Sequence, residues 1–210
     1  GIYPNEISEA DVYKIAKAYL EFVNPKEVVI GCDVRLSSAT LKKAAIKAVI
    51  DSGIKVIDIG TVSTDMFYFA VANDGYSGGC TITASHNPKE YNGMKFVREE
   101  SKPISSDTGL FQIRDIAKNY PMHNEDYELS EQNKKLVEEK DILGEYVSRV
   151  KSFADFSKFK KFKIIFIKTY IITIIFFFYY FYIFNKIAPE FNCFIIMFYF
   201  YLFKKGVNIS

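Results

Sequence analysis

Histidine is scarce in this 210-residue chain, which has only His86 and His123. Cysteine is hardly commoner: Cys32, Cys80 and Cys193 stand far apart. No pair of them has metal-ligand spacing, and an odd, scattered set is a poor disulfide framework. A His/Cys metal site is therefore disfavoured, and a reducing, cytoplasmic setting is expected. The chain opens at Gly1 with no Met, no basic stretch and no apolar core segment. No signal peptide is visible, and the true N-terminus is expected upstream. A basic excess is also lacking over the first 156 residues, where 19 Lys and Arg face 24 Asp and Glu. An acidic surface argues against a nucleic-acid partner. It leaves phosphate binding open, because that needs only local backbone N–H groups and one or two cations. From Ser157 onward the balance reverses, with eight Lys against Glu190 alone.

Apolar periodicity gives the architecture. Val12, Ile15, Ala16, Tyr19 and Leu20 have helical spacing within Asp11–Phe22, with Ser8 placed to cap the run and Pro25 to stop it. The spacing predicts further helices over Ser38–Ser52, Ser63–Asn73, Asp107–Lys118 and Glu131–Val150. Short apolar runs predict strands at Glu27–Cys32, Ile54–Ile59, Gly79–Thr83 and Gly93–Arg98. Strands alternating with helices imply a sheet covered on both faces. The expectation is a three-layer α/β/α sandwich with a mixed four-stranded sheet over residues 1–155. Ligands of such sheets sit beyond the strands' carboxyl ends. The polar loops Asp33–Ser38 and Ala84–Asn92 both follow strands, so both should open on that edge.

The tail differs in kind. Ile164–Phe184 is almost entirely Ile, Phe and Tyr, and Phe194–Phe203 repeats the pattern. The first run reaches the ~20 residues a bilayer requires. Ile, Phe, Tyr, Lys and Asn also all have codons made only of A and T, so AT-rich DNA read out of frame yields such a run. The compositional reading is preferred and a membrane segment is not expected.

The chemistry concentrates in one stretch, Thr81-Ile82-Thr83-Ala84-Ser85-His86-Asn87-Pro88-Lys89-Glu90-Tyr91-Asn92-Gly93-Met94-Lys95-Phe96. A strand ends, a serine occupies the turn after it, and Pro88 and Gly93 bound the loop. A serine nucleophile needs a base in reach, and His86 or Lys95 can serve. A phosphorylated serine needs donors, which His86, Asn87 and loop amides could supply. Against this, adjacent side chains on a strand point to opposite faces. The G-x-S-x-G elbow of serine hydrolases is absent. Arg35 read alone is as well explained by a surface or capping role, Lys95 by solvent exposure, and Asp33 by capping the following turn.

This loop, T-A-S-H-N-P followed by Y-N-G-M-K-F, resembles the phosphoserine loop of the α-D-phosphohexomutases. Gly1-Ile2-Tyr3-Pro4 is similar to the end of that family's opening Y-D-I-R-G-x-x-P segment. Gly31-Cys32-Asp33-Val34-Arg35-Leu36-Ser37-Ser38 is similar to its G-x-D-x-R-x-S-S loop. Lys140-Asp141-Ile142, Tyr146 and Val150 resemble the helix closing the first domain, and Phe159–Ile165 the start of the second. The resemblance covers residues 1 to about 166. It implies a phosphoserine domain over 1–155 and, over 156–210, the start of a second domain degenerating into the Ile/Phe/Tyr-rich tail.

The resemblance further implies that Ser85 carries a phosphoryl group and donates it to a hexose phosphate through a bisphosphorylated sugar. Lys95 would be the acid/base, with His86 and Asn87 shaping the site and Arg35 near the phosphoryl group. The substrate would be a mannose or glucose phosphate, the loop looking closest to the phosphomannomutase/phosphoglucomutase branch. Mg²⁺ is the implied cofactor, met here only through the phosphate on Ser85, because the family's D-G-D-x-D-R loop is absent from the sequence. The loop that reads the sugar is absent too, so the chain is expected to be inactive alone. The competing expectation is a non-enzymatic, membrane-tethered α/β binding module with the aromatic run as anchor and Lys158, Lys160, Lys161 and Lys163 beside it.

Overall fold

The computed structural model describes residues 1–122, 126–153 and 155. Helices α1 (Glu9–Val23), α2 (Ser38–Ile50) and α3 (Thr64–Asn73) alternate with strands β1 (Glu27–Cys32), β2 (Lys55–Thr61) and β3 (Gly78–Ile82). Strand β4 (Met94–Arg98), helix α4 (Leu110–Ala117), the one-turn helix α5 (Glu131–Lys134), strand β5 (Val137–Glu139) and helix α6 (Leu143–Lys151) follow. The sheet order is β4-β3-β1-β2-β5. Only the β3–β4 pair is antiparallel.

Both sheet faces are covered, as the apolar runs require. Val28 and Ile30 of β1 point to a core shared with Val12, Tyr19, Leu41 and Ile113, from α1, α2 and α4. Val29, between them, points to a second core with Phe67 and Val71 of α3 and with Ile142 beside α6. Alternation along a strand puts neighbours on opposite faces, so an unbroken apolar run is what a doubly covered strand needs. Each Val or Ile buried this way contributes about 1.5–3 kcal/mol, before chain entropy is set against it. Tyr19 crosses this core to stack on Phe96 with ring centroids 5.0 Å apart. Its hydroxyl donates to the Val97 carbonyl at 2.9 Å, so the buried polar atom is satisfied.

Local signals set the helix ends. Ser8 Oγ accepts from the Asp11 amide while Asp11 Oδ2 accepts from the Ser8 amide, a reciprocal cap on α1. Asn24 then leaves the helix in a left-handed conformation, φ 50°, just before Pro25. Ser63 Oγ caps α3 through the Met66 amide.

The sheet has five strands where four were expected. The charged stretch Glu131–Val150 is not one helix but α5, β5 and α6. The backbone edge of β2 accounts for this. The Val56 amide donates to Leu136 O and the Lys140 amide to Asp58 O, both at 2.9 Å. Asp141 Oδ1 then accepts from the Leu143 amide at 2.9 Å and starts α6 afresh. Glu138 and Glu139 leave the new edge charged and exposed, a poor template for further pairing.

No helix among the described residues is long and apolar enough to cross a membrane. The Ile164–Phe184 and Phe194–Phe203 runs, and the second-domain assignment over 156–210, lie outside the described residues.

Candidate functional site

Strands β1 and β3 lie side by side and parallel, with Cys32 opposite Ile82 at their carboxyl ends. The loops that follow, around Asp33–Ser37 and Thr83–Gly93, therefore emerge together on one edge. The Asp33 amide donates to Ile82 O at 2.9 Å. Ser85 is exposed and has φ 55°, in the left-handed region. A residue other than glycine is held there against a cost of about 1–2 kcal/mol, so the surrounding contacts must impose it. One of these is local: the Ser85 amide donates to Thr83 Oγ1 at 2.9 Å.

The other contacts come from Arg35. Its Nη2 donates to Ser85 O at 3.0 Å and to Asn87 O at 2.7 Å. Its Nη1 donates to Pro88 O at 2.5 Å and to Tyr91 O at 3.2 Å. Its Nε donates to Asp33 Oδ2 at 3.1 Å. A guanidinium has five N–H donors, and all five are engaged. Arg35 thus stands on the same edge as Ser85, as the strand order implies, but its donors are spent on the loop rather than left free for a phosphate.

Asp33 holds that arrangement from below. Besides Arg35 Nε it accepts the Ser38 hydroxyl at 2.5 Å and the Arg35 amide at 3.1 Å. Burial alone would raise its carboxyl pKa. The Ser38 hydroxyl, the Arg35 amide, the Thr83 hydroxyl and the Arg35 charge outweigh burial and hold it below the usual carboxylate range.

Asn92 is a second link between the loops and was not singled out from sequence. It is buried, and its Nδ2 donates to Ser37 Oγ and Ser38 Oγ, each at 2.9 Å. Its Oδ1 accepts from the Gly93 amide. The opening residues close over this link: the Gly1 amino group donates to Asn92 O, the Asn92 amide to Gly1 O, and the Tyr3 amide to Glu90 O. The signal was available only as an Asn-Gly pair between two strands, which ordinarily marks an exposed turn.

The remaining residues divide. Asn87 is exposed and its Nδ2 bonds Ala84 O at 3.0 Å, which folds the loop on itself. His86 is exposed beside Ser85. Lys95 is half-buried on β4, paired in register with Thr81, one position before the end of β3. By alternation it shares the sheet face of Val97, away from Met94 and Phe96. Cys32 and Cys80 are both buried. Burial pushes the Cys80 thiol up to about 12, so it is no nucleophile near neutral pH. Among the described residues no three His, Cys, Asp or Glu gather as a metal cluster.

Comparisons with known proteins bear on the domain as a whole. Residues 1–123 match the family model for the phosphoglucomutase/phosphomannomutase α/β/α domain I. A phosphomannomutase from Escherichia coli is 40% identical over 161 residues, which cover 77% of this chain and 34% of that protein. A phosphomannomutase from Vibrio cholerae is 43% identical over 171 residues, covering 79% of this chain and 35% of its own length. The chain thus spans about a third of the length of these two relatives. Among solved structures, a protein described as a phosphomannomutase from Thermus thermophilus is 26% identical, with a TM-score of 0.59. That alignment covers 75% of this chain and 35% of that one. The family model covers more than half of this chain, and the chain belongs to the phosphoglucomutase/phosphomannomutase family, matching its first domain.

Proposed function

We propose that Ser85 is the phosphoryl carrier of a hexose-phosphate mutase domain spanning residues 1–155. One observation carries this reading. Ser85 is an exposed serine in a left-handed backbone conformation at the end of a buried strand, held there by an arginine with no free donor. Glu100 and Ser101 also adopt left-handed φ values; what sets Ser85 apart is its place at the end of a buried strand and the Arg35 donors on its carbonyl and on that of Asn87.

In the transfer, the Ser85 Oγ–phosphorus bond breaks and a bond from phosphorus to the sugar hydroxyl forms. The hydroxyl proton leaves to a base, for which Lys95 is the candidate, with His86 the alternative on the loop itself. Ser85 Oγ takes up a proton as it leaves, so that the serine departs as a neutral hydroxyl; the return transfer runs these proton moves in reverse. The bisphosphorylated sugar then returns its other phosphoryl group to Ser85 Oγ. Mannose and glucose phosphates are the expected substrates. Transfer of this kind depends on positioning and on neutralising charge. The described residues supply the positioning.

The family's Mg²⁺ would meet phosphate oxygens on Ser85. The described residues contain no cluster of three carboxylate, imidazole or thiol side chains to complete its shell. The D-G-D-x-D-R string is absent from the sequence as well. The described residues therefore do not form the metal site, and no step is assigned to the ion. For the same reason the chain alone should not turn over hexose phosphates.

The test is a chimera. Residues 1–155 replace the corresponding domain of the Escherichia coli phosphomannomutase, whose other domains complete the site. The chimera should interconvert mannose 6-phosphate and mannose 1-phosphate, and Ser85→Ala should abolish this. An active chimera indifferent to Ser85→Ala would overturn the reading.

A further inference from the structure

We propose that Arg35 is a positioning residue that turns the carbonyls of the Ser85 loop inward and thereby presents the His86 backbone N–H to a phosphoryl group on Ser85. This rests on Ser85 as the phosphoryl carrier.

Peptide geometry sets the directions. A trans peptide is planar, with its C=O and the following N–H pointing opposite ways. The only cis bond among the described residues is Tyr3–Pro4. Arg35 draws in the carbonyls of Ser85, Asn87, Pro88 and Tyr91. The N–H groups of the following residues must therefore face away from Arg35. Pro88, after Asn87, has none. The Asn92 N–H, after Tyr91, is accepted by Gly1 O at 2.8 Å. The His86 and Lys89 N–H groups have no backbone acceptor among the described residues. His86 directly follows Ser85, whose own N–H is taken by Thr83 Oγ1, so the His86 N–H is the unpaired backbone donor nearest in sequence to a group on that side chain.

The clamp acts twice. It aims a donor outward, and a backbone N–H donating to a charged phosphate oxygen makes a short, charge-assisted hydrogen bond. It also takes four carbonyl oxygens, whose partial negative charge would repel a phosphate, off the face the phosphate meets. Only a planar fork with five donors can do this; an ammonium has three donors and no fixed plane. Asp33 occupies Nε and fixes the guanidinium plane.

The test uses the full chain, ¹⁵N-labelled, with phosphoserine genetically encoded at position 85. The His86 amide proton is followed as pH crosses the second phosphate ionisation, at about 6. It should move far downfield as the dianion forms. Arg35→Lys and Asp33→Asn should each remove most of that movement, while the Val29 and Cys80 amides in β1 and β3 stay unchanged. A His86 amide that ignores phosphate ionisation in the unmutated chain would overturn the proposal. So would a full shift retained in Arg35→Lys with β1 and β3 intact. If Arg35→Lys unfolds, the unmutated chain and Asp33→Asn still decide. Because the phosphate is installed genetically, this readout does not depend on whether Ser85 is charged during turnover. A loss of Ser85 phosphorylation in the chimera with a normal His86 titration would sink the functional reading alone.

Discussion

Asn92 and Ser38 are 54 positions apart in the chain, yet the Asn92 amide nitrogen donates to the Ser38 hydroxyl at 2.9 Å inside the fold. The same nitrogen reaches Ser37, so one buried side chain ties the Ser85 loop to the start of α2. Ser38 in turn donates to Asp33, and Asp33 receives Arg35. The site edge is a connected polar network, in which removing one member strands the others.

Asn92→Ala should destabilise the domain by about 1–3 kcal/mol, the cost of leaving buried polar partners unsatisfied. Urea denaturation should show a lower midpoint at an unchanged slope. A loss below about 0.5 kcal/mol, the usual range for surface substitutions, would mean that water replaces the link without penalty.

Asp33 predicts a pH dependence of definite sign. Its carboxyl is held below the usual range in the folded protein. A depressed folded pKa contributes stability that is present above the unfolded value of about 3.9 and is lost as pH falls through the folded value. The stability difference between the unmutated protein and Asp33→Asn should therefore be constant near neutrality and shrink below about pH 4. Urea titrations between neutral and acid pH check this. A difference that grows on acidification would contradict the ion network.

Ser85 sets stability against function. Ser85→Gly removes a left-handed strain of about 1–2 kcal/mol and gives back about 0.5–1 kcal/mol as unfolded-chain entropy. The expected result is a domain as stable or up to about 1.5 kcal/mol more stable. Ser85→Val, β-branched at φ 55°, should be clearly less stable. Thermal denaturation of both variants measures the contrast. Equal destabilisation by Gly and Val would show that the backbone strain is not there.

Among the described residues, both cores draw their buried residues from positions up to Ile142. Truncation after residue 155 should leave a domain that unfolds in one cooperative transition. Calorimetry of the truncated and full chains checks this. An unfolded truncated chain beside a folded full chain would refute the 1–155 boundary.

β1 and β3 were legible because each is a run buried on two faces, which hydropathy marks directly, and β2 and β4 because each carries a shorter buried apolar stretch. Their observed limits lie within two residues of the expected ones. β5 was not legible, because Val137-Glu138-Glu139 carries a single apolar residue and owes its pairing to the open edge of β2. Ser85, His86, Asn87 and Arg35 were legible as neighbours from strand order alone. What Arg35 touches was not: a cation beside a phosphoserine loop reads as a phosphate ligand, and only the tertiary structure shows its five donors turned onto Asp33 and four carbonyls. Asn92 escaped for the converse reason, since burial of an Asn-Gly turn is a tertiary fact.

The most direct test of the central claim locates the phosphoryl group. The chimera described above is mixed with glucose 1,6-bisphosphate, quenched in acid and mapped by peptide mass spectrometry. The account predicts a single phosphoryl group on Ser85, absent from the Ser85→Ala variant and discharged by added mannose 6-phosphate. A folded, active chimera carrying its phosphoryl group on any other residue, or on none, would contradict it.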